Sequence, residues 1–164
     1  MNASAKVMLL GDIGVGKTSL ARRLKFDRFE TDYKSTIGVD IVTCDVVLPD
    51  GPLRLILWDT DGDFGMNIFS SVYLRGAAGA VIVADASRPA TLVKMANLAE
   101  GFSAHSPGRP INCVINKIDL VPADGSWLSK SGEAPALLAS AMTGEGVNEL
   151  FAGLGAAILR RGFQ

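Results

Sequence analysis

Residues 11–18 read Gly11-Asp12-Ile13-Gly14-Val15-Gly16-Lys17-Thr18: a glycine, four residues, then Gly-Lys-Thr. The run before it, 6–10, is apolar and of strand length, and the run after it, 17–28, holds helix formers with Leu20 and Leu24 four apart. A loop between strand and helix leaves backbone N–H groups unpaired at the helix start, where the dipole also favours anions. Glycines let that main chain wrap phosphate oxygens. Asp12, Ile13, Gly14, Val15 and Gly16 are therefore the expected cradle, Lys17 is expected to reach terminal phosphates, and the Thr18 hydroxyl to serve a magnesium ion bridging them.

Outward from this loop the chain alternates. Residues 39–48 and 53–58 are β-rich runs joined by Pro49-Asp50-Gly51-Pro52, turn chemistry that predicts an antiparallel hairpin. Residues 80–84 and 111–115 are unbroken apolar runs, as interior strands of a parallel sheet require. Between them Leu92, Met95, Ala99 and Phe102 recur at helical spacing before Pro107-Gly108, a stop. Residues 136–139 read as one more short strand, and Val147, Leu150, Phe151, Leu154 and Ile158 as the apolar face of a last helix. Such alternation implies a parallel α/β sheet with ligand sites beyond the strands' carboxyl ends.

Composition narrows the partners. The 164 residues suffice for one domain, and 48% hydrophobic with 20% charged residues excludes disorder. Sixteen basic against 17 acidic side chains, in no block of one sign, provide neither a nucleic-acid stripe nor a polybasic membrane patch. Cys44 and Cys113 lie in apolar stretches and are read as buried thiols of a cytoplasmic protein. The longest apolar run, 151–159, falls short of the ~20 residues a bilayer needs. His105, beside Ser106-Pro107-Gly108, is read as a loop residue.

Three further strings follow expected strands. Asp59-Thr60-Asp61-Gly62 places a carboxylate for a magnesium water and a glycine N–H for a terminal phosphate. Asn116-Lys117-Ile118-Asp119 chooses the base: a carboxylate accepts from the two adjacent N–H donors of guanine, whereas adenine would leave it unpaired. Asp119 is thus the expected guanine reader, Lys117 lays its stem over the ring, and Asn116 ties loops together. Ser140, Ala141 and Met142 can offer a backbone N–H to the guanine oxygen.

With these elements in this order, the chain resembles the Ras superfamily of small GTPases, most closely its Rab-like branch, over nearly its whole length. Tyr33-Lys34-Ser35-Thr36-Ile37-Gly38-Val39-Asp40 looks like the first switch segment, Trp58-Asp59-Thr60 begins the second, and Ser140-Ala141-Met142-Thr143-Gly144-Glu145-Gly146-Val147 resembles the base-binding loop. The resemblance implies one G domain over 1–164 with the P-loop NTPase small-GTPase fold, a six-stranded, mostly parallel sheet with one antiparallel edge strand and helices on both faces. It implies GTP and GDP as ligands, Mg2+ as cofactor, and protein effectors and regulators at switch segments of about 29–40 and 59–72. Thr36 would join Thr18 and Asp59 around the metal, Phe29 would pack against the base, and Ser19 would lie with the phosphate cradle. Lys17, Thr36, Gly62 and Asp63 form the implied catalytic set.

Departures from the family carry their own expectations. Asp63 stands where glutamine usually positions the attacking water. A carboxylate donates nothing to the transferring phosphoryl group and its charge opposes the triphosphate, so slow hydrolysis is expected; the alternative is an Asp63 that faces solvent while another group places the water. Ile13 crowds the position facing the terminal phosphate and would meet an entering arginine finger. Asp61 replaces the usual alanine, so three carboxylates fall in five residues; at least one should have a perturbed pKa, and a loop facing water is favoured over a second ion site. Between Asp119 and Ser140 the chain is short for the family, and a helix reduced to a turn or two is expected around 126–131. No prenylation cysteine or myristoylation glycine is present, so no autonomous membrane anchor is expected. A hydrolysis-deficient nucleotide-bound interaction module is the alternative function, and a P-loop kinase or adenine nucleotidase a third, against which Asp119 counts.

Overall fold

The computed structural model describes residues 3–30, 36–127 and 136–162. Tyr33, Lys34 and Ser35 of the first switch string, and most of the shortened helix expected at 126–131, lie outside the described residues. Strand β1 (Ala3–Gly11) leads through the glycine loop into α1 (Lys17–Phe26); β2 (Val39–Leu48) and β3 (Gly51–Thr60) follow, then 3₁₀ segments Gly62–Ser70 and Val72–Leu74. Next come β4 (Ala77–Asp85), α2 (Pro89–His105), β5 (Ile111–Asn116), a 3₁₀ turn Ile118–Leu120, β6 (Leu137–Leu138) and α3 (Val147–Arg161).

The sheet runs β2-β3-β1-β4-β5-β6, with only the edge strand β2 antiparallel to its neighbour. Alternation along β1 explains the layers. Val7 and Leu9 face α1 and α3, meeting Leu20, Leu150, Phe151 and Leu154. Met8 and Leu10 face α2 and the 3₁₀ segments, meeting Met95, Phe102, Ile68 and Leu74. Covered on both faces, β4 is buried at every position. Because β1, β3, β4 and β5 are parallel, Gly11, Thr60, Asp85 and Asn116 end on one edge of the sheet.

Local chemistry moved several boundaries. α1 stops at Phe26, short of the expected residue 28, because Asp27 turns left-handed (φ 52°) and its N–H caps the Arg23 carbonyl. The hairpin loop is only Pro49-Asp50: Gly51 (φ 119°) already pairs with Leu48, and Pro52 with Val47. The last strand is Leu137–Leu138 rather than 136–139. His105 is not a loop residue but the last residue of α2, 3.0 Å from the Ser106 hydroxyl through Nδ1. Cys44 and Cys113 are half-buried free thiols, each pushed up in pKa by burial. They sit on β2 and β5, four strand spacings apart in the sheet order, about 19 Å and too far to bridge.

Candidate nucleotide-binding site

Consecutive carbonyls of the glycine loop are held by side chains. The buried Lys17 ammonium donates to Gly11 O (3.0 Å) and Asp12 O (2.9 Å). Arg88 Nη2 donates to Ile13 O (2.8 Å), Lys117 Nζ to Gly14 O (2.7 Å) and Asn116 Nδ2 to Val15 O (3.0 Å). Gly16 O accepts from Leu20 N inside α1. In a trans peptide the following N–H points opposite its carbonyl, so the Ile13, Gly14 and Val15 carbonyls, held from the side of Asp85 and Asn116, turn the Gly14, Val15 and Gly16 amides toward the cavity. The Ile13 N–H is instead taken by Asp12 Oδ1 at 2.8 Å. Gly16 must be glycine twice over: its φ is 103°, and a Cβ there would overlap the Asn116 amide.

The inward face opens onto a cavity of about 860 Å³, lined by Gly14, Gly16, Thr18, Ser19, Phe29, Thr36, Asn116, Lys117, Asp119, Ala141 and Met142. That size suits a nucleotide. A smaller lobe of about 170 Å³ is lined by Ile13, Lys17, Asp61, Gly62 and Asp63 and shares Gly14, Gly16, Thr18 and Thr36 with the large one. Burial pulls the Lys17 pKa down, against the opposing effect of Asp59, Asp12 and Asp61.

At the large lobe's far end, Asp119 Oδ1 accepts from the buried Ser140 hydroxyl (2.7 Å), and Asn116 Oδ1 accepts from Ala141 N (3.1 Å). Ser140 N is also committed, to Glu145 O. Two of the three amides expected to offer themselves to a base are thus spent within the protein. Arg23 holds this loop from α1, donating to Ala141 O (2.8 Å) and Met142 O (2.5 Å).

Thr18, Thr36 and Asp59 converge although they come from α1, the segment before β2, and β3. The Thr18 hydroxyl donates to Asp59 Oδ2 at 2.5 Å, the Thr36 hydroxyl lies 2.8 Å from that of Thr18, and Thr36 also donates to Asp59 Oδ2 at 3.3 Å. Asp59 is fully buried, yet its Oδ1 is without a hydrogen-bond partner among the described residues. Burial pushes its pKa up; hydrogen bonds from Thr18 and Thr36 and the charge of Lys17 pull the other way. An orphaned buried carboxylate oxygen beside two hydroxyls is a donor set that fits a hard divalent cation such as Mg2+.

The acidic string meets the water-facing expectation at Asp63 but not at Asp61. Asp61 caps the 3₁₀ segment Gly62–Ser70, its Oδ1 accepting from Asp63 N (2.9 Å), while its own N–H reaches Gly38 O (2.8 Å). It is a structural cap rather than part of a loop merely facing water. The Asp63 side chain is exposed at the small lobe. Gly62 lies against the glycine loop so closely that a Cβ would overlap Ile13 N.

Sequence reasoning missed Asp85, Arg88 and Lys94. Asp85, 2% exposed, accepts from Ser87 N, Ser87 Oγ, Arg88 Nε (3.0 Å) and Lys117 Nζ (3.0 Å). Burial raises its pKa, but these donors more than offset that and hold the carboxyl below the usual range. Lys94 pairs with Asp12 Oδ2 at 3.0 Å. A carboxylate directly after the buried run 80–84, at a carboxyl strand end, was the available signal.

A glycine cradle at a strand-to-helix junction, opening onto a nucleotide-sized cavity, defines a P-loop nucleotide-binding protein of the α/β class. The Ras family model matches residues 6–160. Ras-related protein RABG3f of Arabidopsis thaliana is 32% identical over 160 residues, covering 89% of this chain and 78% of the relative. Ras-related protein RABA6b of the same plant is 35% identical over 155 residues (89% and 67% covered), and Ras-related protein Rab7 of Pisum sativum 32% over 171 (96% and 83%). The chain belongs to the Ras family, as a small GTPase of Rab-like type and a GTP-binding switch protein.

Proposed function

We propose that this protein is a magnesium-dependent guanine-nucleotide switch that hydrolyses GTP slowly and signals through residues of about 29–40 and 59–72. The observation that carries this reading is the meeting of Thr36 and Asp59 at the Thr18 hydroxyl. One residue from each segment is thereby tied to the phosphate loop, so the state of the bound phosphates is felt by both. Thr18, Thr36 and Asp59 would hold Mg2+, which when bound neutralises phosphate charge.

The chain's own residues account for the remaining roles. Asp119 reads the guanine edge, the Lys117 stem covers the ring, and Phe29 closes the cavity over the base. Met142 N–H is the amide of its loop left for the base oxygen. Inward amides of the glycine loop take the phosphate oxygens, and Lys17, with two donors spent on carbonyls, keeps a third for the terminal phosphate. The Gly62 N–H is set to approach the same group. Asp63 can accept a proton from water but cannot donate to the phosphoryl oxygens, which keeps turnover low. The exposed surfaces of the two segments are the proposed contact for effectors and regulators. The half-buried free thiols on β2 and β5 support a reducing cytoplasmic setting, and the continuous sheet supports one G domain over 1–164.

Single-turnover cleavage of radiolabelled GTP tests this. In Mg2+ phosphate release is expected over hours, since unaided turnover in Ras is near ~10⁻⁴ s⁻¹ even with glutamine. EDTA should stop cleavage and speed nucleotide loss. Asp63→Gln should cleave faster; a slower substituted protein refutes the electrostatic account, and GTP that stays uncleaved in the wild type makes the chain a binding module instead.

A further inference from the structure

Of the five gripped carbonyls of the glycine loop, Gly11 to Val15, four are held by Lys17, Lys117 and Asn116. The fifth, on Ile13, is held by Arg88, which belongs to no nucleotide-binding string in the sequence. We infer that Arg88 is a positioning residue for the phosphate chain: by fixing the Ile13 carbonyl it aims the Gly14 amide into the cavity and so sets how long nucleotide is retained. This deepens the guanine-nucleotide reading and rests on it.

Three observations carry the inference. The first is peptide geometry: the Gly14 N–H belongs to the same rigid peptide unit as the Ile13 carbonyl and points the opposite way. Gly14 lines both lobes of the cavity, so this amide sits where the nucleoside side meets the terminal-phosphate side. A glycine at φ 74° has no side chain to restrain that peptide by itself.

The second is that Arg88 is built to hold position. Its N–H donates to Asp85 O (3.0 Å), and its carbonyl accepts from the buried Thr91 hydroxyl (2.7 Å), which in turn accepts from Asp85 N (2.8 Å). Its Nε is anchored on the buried Asp85 carboxylate, leaving Nη2 to span to Ile13. Only a guanidinium, with donors in a fixed fork, makes both bonds at once; a lysine ammonium on Asp85 lacks the second reach.

The third is shared anchorage. Lys117, from the base-reading string, is paired with the same Asp85 oxygen and holds the next carbonyl, Gly14 O. One buried carboxylate thus fixes two successive peptides of the cradle. Arg88 extends this brace to the peptide next to the small lobe.

The test measures release of fluorescent methylanthraniloyl-GDP from the magnesium-loaded full chain into excess unlabelled GDP. Arg88→Ala and Arg88→Lys should both release about tenfold faster or more, the scale of a charge-assisted hydrogen bond. Preference for GDP over ADP should not change. Amide exchange separates positioning from folding: residues 13–15 should lose protection while 92–102 of α2 keep it. Wild-type release from Arg88→Ala overturns the inference, wild-type release from Arg88→Lys replaces it with a pure charge effect, and deprotection throughout 92–102 assigns Arg88 to helix α2 alone. A wild-type protein that holds no guanine nucleotide overturns the nucleotide reading and this inference together.

Discussion

Two walls face each other across the small lobe. On the glycine-loop side, side chains from α1, the end of β5 and the residue after it, and the β4–α2 junction grip every carbonyl from Gly11 to Val15. The opposite wall, Asp61 to Ser70, is tied by the Gly38 contact, its own Asp61 cap, the buried Ile68 and the partly buried Phe64 and Phe69 rings, and it is broken at Gly65 (φ 49°, ψ −136°). Asp63, Met66 and Asn67 lie exposed. A backbone whose polar groups are committed inside the protein is costly to displace, whereas a segment with few buried contacts opens locally at low cost. Such a pair is suited to hold a ligand on the fixed wall and to register its state on the loose one.

The largest expected effect comes from loosening the fixed wall. Asn116→Ala strips Val15 O and Ala141 N of their partner at sites that are almost fully buried. Each unsatisfied group costs about 1–3 kcal/mol, so GDP affinity in a fluorescence titration should fall about a hundredfold or more. A loss below fivefold would mean that the brace matters little. Gly62→Ala acts where the walls touch: the new Cβ would lie 2.7 Å from Asp12 C and 2.8 Å from Ile13 Cα, backbone atoms that cannot swing aside. Separating the walls should slow single-turnover GTP cleavage about tenfold to a hundredfold. GDP retention should change less than about threefold, because Gly62 does not line the large lobe. Equal losses in both assays would remove the distinction between the walls.

How far the sequence disclosed this asymmetry follows from how local each signal is. The cradle and the interior strands were legible because glycine spacing and unbroken apolar runs act within a few residues. The brace was not, because Arg88 and Ile13 are 75 positions apart and meet only once β1 and β4 pair. Asp61 shows a different failure. Cap chemistry was available in its residue type, but a cluster of like carboxylates drew the reading toward ions and solvent. The commitments of the Ser140 and Ala141 amides were not legible because their internal acceptors, Glu145 O and Asn116 Oδ1, come from folding and not from spacing.

The smallest effect is expected where the loose wall rests on α2. A Cβ at Gly101 would lie 2.9 Å from two atoms of the Phe69 ring and closer still to a third. Alanine inside a helix is favoured over glycine by about 1 kcal/mol, so Gly101→Ala strengthens α2 while evicting the ring from its seat. Phe69 is only partly buried, and the lost contact is of similar size and opposite sign. Stability of the whole chain to urea should therefore change by less than about 1 kcal/mol. Amide exchange over 62–70 should nonetheless rise about fivefold, and Phe69→Ala should reproduce the rise without the helix gain. Unchanged exchange in both variants would show that Phe64, Ile68 and the Asp61 cap, not the Phe69 ring, hold this wall in place.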